Sequence, residues 1–469
     1  MKERKQKTFE GSRAYPQKNR TESEGYVGGQ TFMWITENNL ATNNRSGYGM
    51  LEFLLSPTNL NKAYLQVKRN KGAGGVDKME VESLQDYLVA HKEGLIRSIL
   101  RGKYCPNPVR RVEIPKGNGN TRRLGIPTVV DRVIQQAIAQ GLIPIYEQQF
   151  SAHSYGFRPG RDAHQALRKC QQYITEGYGY AVDMDLEKFF DKVSHSKLIE
   201  VLTRTIKDGR VISLIHKYLN AGVMAGGRYE PSRQGVPQGG PLSPLLSNIM
   251  LNELDKELEC RGHKFVRYAD DVVILCKSRR SAQRTLKSIV SFIENKLFLK
   301  VNEEKSQVAY ITKVKFLGYS FYKLKGQGRL RIHPESVQKM KARIKELTSR
   351  SNGWGNERRK ETLRQYITGW VHYFKLAEMD NLLIRIDEWY RRRLRMVIWK
   401  QWKRIRTRLA NLIKLGVKKS KAWEWANTRK GYWYIANSYI LATTITNNHL
   451  RNAGYIFLSD YYRKVRVVN

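Results

Sequence analysis

Acidic residues are scarce in this chain of 469. The 42 Asp+Glu stand against 84 Lys+Arg, a formal charge of +42. An excess of that size is hard to keep soluble and compact unless a polyanion shares it, which makes nucleic acid the expected partner. A membrane surface is the other polyanion, but no apolar run approaches the roughly 18 residues needed to span a bilayer. The first residues, MKERKQKTFEGSRAYPQ, also lack the apolar centre of a secretion signal. Cys105, Cys170, Cys260 and Cys276 are widely spaced and form no CxxC pair, which argues against a zinc knuckle or a dithiol centre and suits reduced thiols in a cytosol. The nine His show no paired metal-binding spacing, and there is no internal repeat or low-complexity linker. With 41% hydrophobic residues the chain can bury sizeable cores, and its length suggests about three domains.

Against this basic background, a few carboxylates sit where water-exposed acids are not expected. In KFVRYADDVVIL, Lys264 to Leu275, strand-forming residues flank Asp270 and Asp271. The simplest geometry is a strand-turn-strand with two acids at its tip. Two like charges so close are unfavourable unless a cation neutralises them, and a hard divalent metal is the natural one. Asp-Asp pairs are also common in solvated turns, so this motif needs a second. Upstream, YAVDMDLEKFFD from Tyr180 to Asp191 alternates apolar residues with Asp183 and Asp185, a strand with both acids on one face that turns into a helix after Leu186. Three carboxylates from two strands, Asp185, Asp270 and Asp271, suit two magnesium ions serving an in-line phosphoryl transfer.

The rest of the chain divides by composition. Residues 1–49 are polar and basic, an extension expected to be flexible before it binds a partner. Helical text follows from Leu51 to Arg101, interrupted by KGAGGVDK, where Gly72, Gly74 and Gly75 suit an interhelical loop or a phosphate contact. RVEIP and RLGIP flank a turn at Gly117 to Asn120 and read as a hairpin carrying Lys116 and Arg122. Two cations there suit a triphosphate, although a solvated basic turn has the same signature. Val129 to Leu142 has amphipathic spacing. FSAHSYGFRPGRD interleaves aromatics with Arg158 and Arg161, suited to gripping nucleic acid or to packing a loop. QGVPQGGP reads as a bare-backbone loop entering a helix with Ser243 as N-cap. From His333 the text turns helical, and between Arg391 and Lys430 there are 15 Lys+Arg, one acid and Trp399, Trp402, Trp423 and Trp425. That imbalance favours phosphate tracking over a merely solvated face.

In this order, RVEIPK…RRLGIP, SYGFRPG, DMDLEKFFD, QGVPQGGPLSP, RYADD, VNEEKS and FLGYSF resemble the successive motifs of group II intron reverse transcriptases. LRQYITGWVHYF, Leu363 to Phe374, resembles their maturase or thumb region. The resemblance runs from about residue 50 to 430 and looks closest to the bacterial group IIC type, which lacks an endonuclease domain. It implies an α+β right-hand polymerase with fingers, an antiparallel palm and a helical thumb, followed by a basic helical DNA-binding segment. The implied boundaries are 50–180 for the N-terminal part and fingers, 181–328 for the palm, 329–390 for the thumb and 391–469 for the basic region and tail.

The resemblance further implies metal ligation and catalysis by Asp185, Asp270 and Asp271, with two Mg2+ ions and Mn2+ as a substitute. It makes Lys116, Arg122, Phe190, Gln238 and Lys305 the dNTP contacts, with Phe190 as an aromatic gate against a 2′ hydroxyl and Lys305 as a proton donor. Arg158, Arg161, Arg391, Arg392, Arg404, Arg406 and Lys430 are the expected nucleic-acid contacts. The implied partners are an RNA template, the intron RNA, a DNA primer or target and dNTPs, in a bacterial cytosol, with oligomeric state open. The implied activity is RNA-directed DNA synthesis with help to splicing. A splicing cofactor with a dispensable polymerase site, or a retron or repair-type enzyme, are the alternatives. The tail after Gly431 matches nothing interpretable.

Overall fold

The computed structural model describes residues 49–115 and 121–467. The basic extension before residue 49, the turn at Gly117 to Asn120 and the candidate triphosphate contact Lys116 lie outside the described residues. The architecture is α+β, with helices predominating. Among the described residues ten strands form three sheets: β2-β1-β4-β5, β6-β7-β3-β8 and the hairpin β9-β10. Their bounds are β1 Val109–Pro115, β2 Thr121–Ile126, β3 Tyr180–Met184, β4 Val223–Ala225, β5 Arg228–Glu230, β6 Lys264–Tyr268, β7 Asp271–Cys276, β8 Gln307–Tyr310, β9 Tyr319–Leu324 and β10 Gln327–Ile332. All pairings are antiparallel except β1 with β4.

The central sheet follows from the apolar runs. Val182 of β3 and Val272 to Leu275 of β7 are at most 2% exposed, because helices cover the sheet. Ala181, Val273 and Leu275 face one apolar cluster, shared with Ala163–Thr175 and the C-terminal helices. Val182, Val272 and Ile274 face the other, shared with Ser243–Cys260 and Arg279–Lys296. Two buried faces make the strands read as nearly continuous apolar runs, and only the strand ends carry acids.

Several expectations are corrected here. Val129–Glu147 is a helix buried nearly all round, not amphipathic, because its polar residues have internal partners. Asp131 accepts from Tyr104 Oη (2.5 Å) and Thr128 Oγ1 (2.6 Å), and Arg132 donates to the carbonyls of Pro127 and Ala73. The segment with Gly74 and Gly75 is the expected interhelical loop, and it is packed: Arg110 donates to Gly74 O at 2.8 Å, and a Cβ on Gly75 would meet Thr128 Cα at 2.6 Å. Ser243 opens the helix Ser243–Cys260 but is not its cap; Leu242 is, and Ser243 Oγ instead donates to Pro237 O at 2.5 Å, closing the preceding loop.

Beyond β10 the chain is helical. The long helices are Pro334–Leu347, Asn356–Phe374 and Asp380–Gln401. The tail after Gly431 forms short helices and ends in Leu458–Val467, which packs on the two preceding long helices. Among the described residues no helix is long and apolar enough to cross a membrane, and the four cysteines are free thiols.

Candidate active site

The register of β3 against β7 builds the site. Asp183 lies opposite Val273 and Met184 opposite Val272, so the same register carried one residue further sets Asp185 opposite Asp271. Asp271 is in turn the partner of Tyr268 across a two-residue turn, Ala269-Asp270, joining β6 to β7. Ala269 takes φ +56°, the left-handed region that an L side chain enters only at a cost of about 1–2 kcal/mol. The surroundings hold it there. Ala269 O accepts from Arg267 Nη1 at 3.0 Å, and a Cβ on Gly156 would lie 2.3 Å from Ala269 N, so only glycine admits this approach of the SYGFRPG loop.

Arg267 is itself wholly buried. Its guanidinium is bidentate to Asp255 (2.8 and 2.5 Å) and also donates to Asn248 Oδ1 (2.9 Å), while Asn248 donates to Gly156 O (2.8 Å). One buried network thus ties the turn bearing two acids, the SYGFRPG loop and the helix Ser243–Cys260. Asp255 and Asn248 carry no local sequence signal for this role.

On the opposite edge, VNEEKS runs beside DLE. Asn302 N donates to Asp185 O (2.8 Å), Asp185 N to Ser306 Oγ (3.1 Å), and Lys305 Nζ stands 3.3 Å from Asp185 Oδ2. Burial pushes Asp183 up to about 6, the charge of Asp185 adds to this and Gln307 opposes it. Asp271 is also pushed up to about 6, by burial first and then by Asp270, Asp183 and Asp185. Its surface is open to water while protein surrounds it on most sides. Four acids therefore sense one another. Among the described residues no three stand close enough to enclose an ion unaided. Magnesium does not require that, since it is commonly held by one or two carboxylates together with waters and substrate phosphates. Hard oxygen donors that repel one another fit such an ion.

A second group forms around QGVPQGGP. Arg122 Nε donates to Gln238 Oε1 at 3.0 Å, and Gly125 N donates to Gln238 O at 2.7 Å. Gly239 takes φ +126° because a Cβ would meet Gly125 O at 2.6 Å. At its other end the loop presses on the turn after Asp185, where Val236 N donates to Phe190 O (2.6 Å). Phe190 is 8% exposed and packs edge-on against Phe189. One loop thereby joins Arg122, Gln238 and Phe190.

The expected nucleic-acid contacts divide. Arg158 is corrected: it is 7% exposed, and its guanidinium is spent on Glu147 (2.6 Å) and the carbonyls of Ser151 and Ser154. Arg161 donates to Ala152 O (2.7 Å) and lies over the Tyr155 ring. Arg404 and Arg406 are exposed at the start of the helix Ile405–Lys414. Arg392 stacks on Trp433 (3.9 Å), Lys430 lies over Tyr434 (4.8 Å), and Arg391 lies 5.6 Å from the Phe457 ring. Trp399, expected in a phosphate-tracking surface, is instead 1% exposed, since it falls on the inner face of Asp380–Gln401.

Residues 114–321 match the family model described as reverse transcriptase (RNA-dependent DNA polymerase), and residues 337–416 match the maturase-specific domain of group II introns. Protein YkfC of Escherichia coli (strain K12) is 33% identical over 325 residues, 60% of this chain and 85% of that protein. The group II intron-encoded protein LtrA of Lactococcus lactis subsp. cremoris is 32% identical over 337 residues, 58% of this chain. The match spans about half of LtrA, 56% of its length. With the basic hairpin, the acids of the central sheet and the maturase-specific helices in this order on one chain, the protein belongs to the group II intron reverse transcriptase family.

Proposed function

We propose that the chain is an RNA-directed DNA polymerase that binds its intron RNA, assists splicing and copies RNA into DNA. The observation that carries this reading is the register that sets Asp185 opposite Asp271, beside Asp270, at the end of β3 and β7. In this reading the sheet β6-β7-β3-β8 is the palm, the β1-β2 hairpin belongs to the fingers, and residues 329–390 are the thumb. Asp185, Asp270 and Asp271 would hold two magnesium ions, which Mn2+ could replace. When bound, the ions supply activation of a primer 3′ hydroxyl and charge stabilisation of the leaving pyrophosphate.

The chain's own residues do the positioning. Arg122, oriented by Gln238, offers its remaining donors to a triphosphate in the planar fork that suits phosphate oxygens. Lys305 balances Asp185 in the absence of substrate and is placed to give a proton to the leaving group. Phe190 floors the sugar pocket, where its ring leaves no room for a 2′ hydroxyl. Buried Arg267 fixes the turn so that the acids need no reorganisation when substrate arrives.

The test is primer extension on an RNA template with magnesium and dNTPs, wild type against Asp270→Asn with Asp271→Asn. Complementary DNA from the wild type alone, with loss of about 10³-fold or more in the variant, is the expected result. No product from either, with tight RNA binding by both, would move the assignment to a splicing cofactor.

A further inference from the structure

Residues after Gly431 lie beyond both family segments, yet they build one wall of an open cleft of about 700 Å³. The other wall is the helix Asp380–Gln401. Its volume falls within the range of about 300–1,000 Å³ common to small-ligand sites. Three guanidiniums line it, Arg391, Arg395 and Arg451, against a single carboxylate, Glu388. The remaining walls are polar and include the amides of Asn437 and Asn448.

Two of the guanidiniums are fixed. Arg451 is bidentate to Asp460 (2.7 and 3.2 Å), and Arg395 donates to Ile445 O at 2.9 Å. Arg391 is not: it donates no hydrogen bond to any described residue and rests 5.6 Å from the buried Phe457 ring, which Arg451 also approaches at 5.6 Å. Burial, and then the like charge of Arg391, hold Arg395 below the usual guanidinium value. Positive charges gathered this closely are relieved by an anion, and guanidinium forks match phosphate.

The tail segment that builds this wall also carries exposed aromatic rings. Tyr439 is 75% exposed and begins the helix Tyr439–Thr444, whose Ala442 lines the cleft. Tyr434 is 60% exposed under Lys430. Exposed rings on the segment that also supplies the cleft wall suit unpaired bases, which offer a π-face, and not duplex, whose bases are already stacked. The side-chain amide of Asn437 matches the donor and acceptor edges of a base, and Asn448, whose Oδ1 already accepts from Arg451 Nη1 (3.1 Å), offers its amide N–H groups.

We propose that this cleft takes an unpaired nucleotide of a nucleic-acid strand, its phosphate on Arg391 and Arg395, its base edge on Asn437 and Asn448, and the neighbouring base stacked on Tyr439. The assignment rests on the nucleic-acid reading above and deepens it, giving the tail a role as a single-strand clamp.

The experiment is fluorescence anisotropy of the full chain, without metal or dNTPs, on labelled U12 RNA, dT12 and a 12-base-pair DNA duplex. Wild type is compared with Arg391→Gln, with Tyr439→Ala and with the double variant. Tyr439 is exposed, so its variant keeps the fold. The expected result is a loss of about fivefold or more for single strands with each variant and less than about twofold for duplex. Arg391→Gln also flattens the single-strand salt slope by about 0.7. A larger loss on U12 than on dT12, or the reverse, assigns the strand as RNA or DNA. An equal loss on duplex and single strand, or no loss at all, overturns the clamp. Primer extension by the same variants reads the polymerase separately, so failure there touches the polymerase reading and not this one.

Discussion

Asp271 shows what the acids cost when no cation is present. Its folded value of about 6 lies above the ordinary aspartate value of 3.8, so the folded protein holds this proton more tightly than the unfolded chain. The sign follows from linkage: the penalty is absent below about 3.8, grows as pH rises and is complete above about 6. Asp270→Asn removes one of the repelling charges. In metal-free buffer the thermal midpoint of that variant is expected to gain on wild type at pH 7.5 and to gain little at pH 4.5. The effect is under about 1 kcal/mol, because the carboxylate is open to solvent. Equal gains at both pH values would remove charge repulsion as the cause. Gly156 is the second position where one atom decides the outcome. Gly156→Ala places a Cβ 2.3 Å from Ala269 N and 2.9 Å from Tyr268 C, both backbone, so the turn bearing Asp270 must shift. Primer extension is expected to fall by about 10²-fold, the scale of a 1 Å misplacement. An unaltered rate would show that the turn tolerates the movement.

Between elements, the pair Arg267–Asp255 locks β6 to the helix Ser243–Cys260 while its remaining donors hold the turn. Removing one member leaves the other charged and buried, so Arg267→Met is expected to lose about 3–5 kcal/mol in denaturant unfolding. Arg267→Met with Asp255→Leu should recover most of that stability, since an apolar pair avoids the desolvation of both ions. Activity separates the two roles. The double variant still lacks the donor to Ala269 O and is expected to stay impaired in primer extension. Full recovery of rate along with stability would reduce Arg267 to a structural ion pair. The same logic joins the tail to the helix Asp380–Gln401. Buried Asp387 accepts from Leu458 N (3.0 Å), Ser459 N (2.8 Å) and Ser459 Oγ (2.6 Å), anchoring the first turn of the last helix.

Over the molecule as a whole, a charge of +42 dominates association. Each phosphate neutralised releases counterions, so the logarithm of the duplex binding constant falls with that of salt by about 0.9 per contact. Arg404 and Arg406 are exposed on the basic helical region. Arg404→Glu with Arg406→Glu is therefore expected to weaken duplex binding and flatten its salt slope by about 2. An unchanged slope would take this pair out of the footprint. Protein surface carrying so much charge also makes the distribution of its partners informative: Arg158 pairs with Glu147 at 2.6 Å, whereas Arg391 makes no ion pair that close among the described residues.

Local pattern was enough for the strands that end in acids, the basic hairpin and the helical last third, because alternation and three-to-four spacing are set by neighbours in the chain. The order of motifs then placed the chain in its family, and scarcity of acid named the class of partner. Pairings between distant residues were not legible. Arg158 with Glu147, Arg267 with Asp255 and Asn248, Asp387 with the start of the last helix, and the burial of Trp399 all depend on which elements meet. The fate of a charge or an aromatic ring follows from its surroundings after folding, and one sequence window contains only half of each such contact.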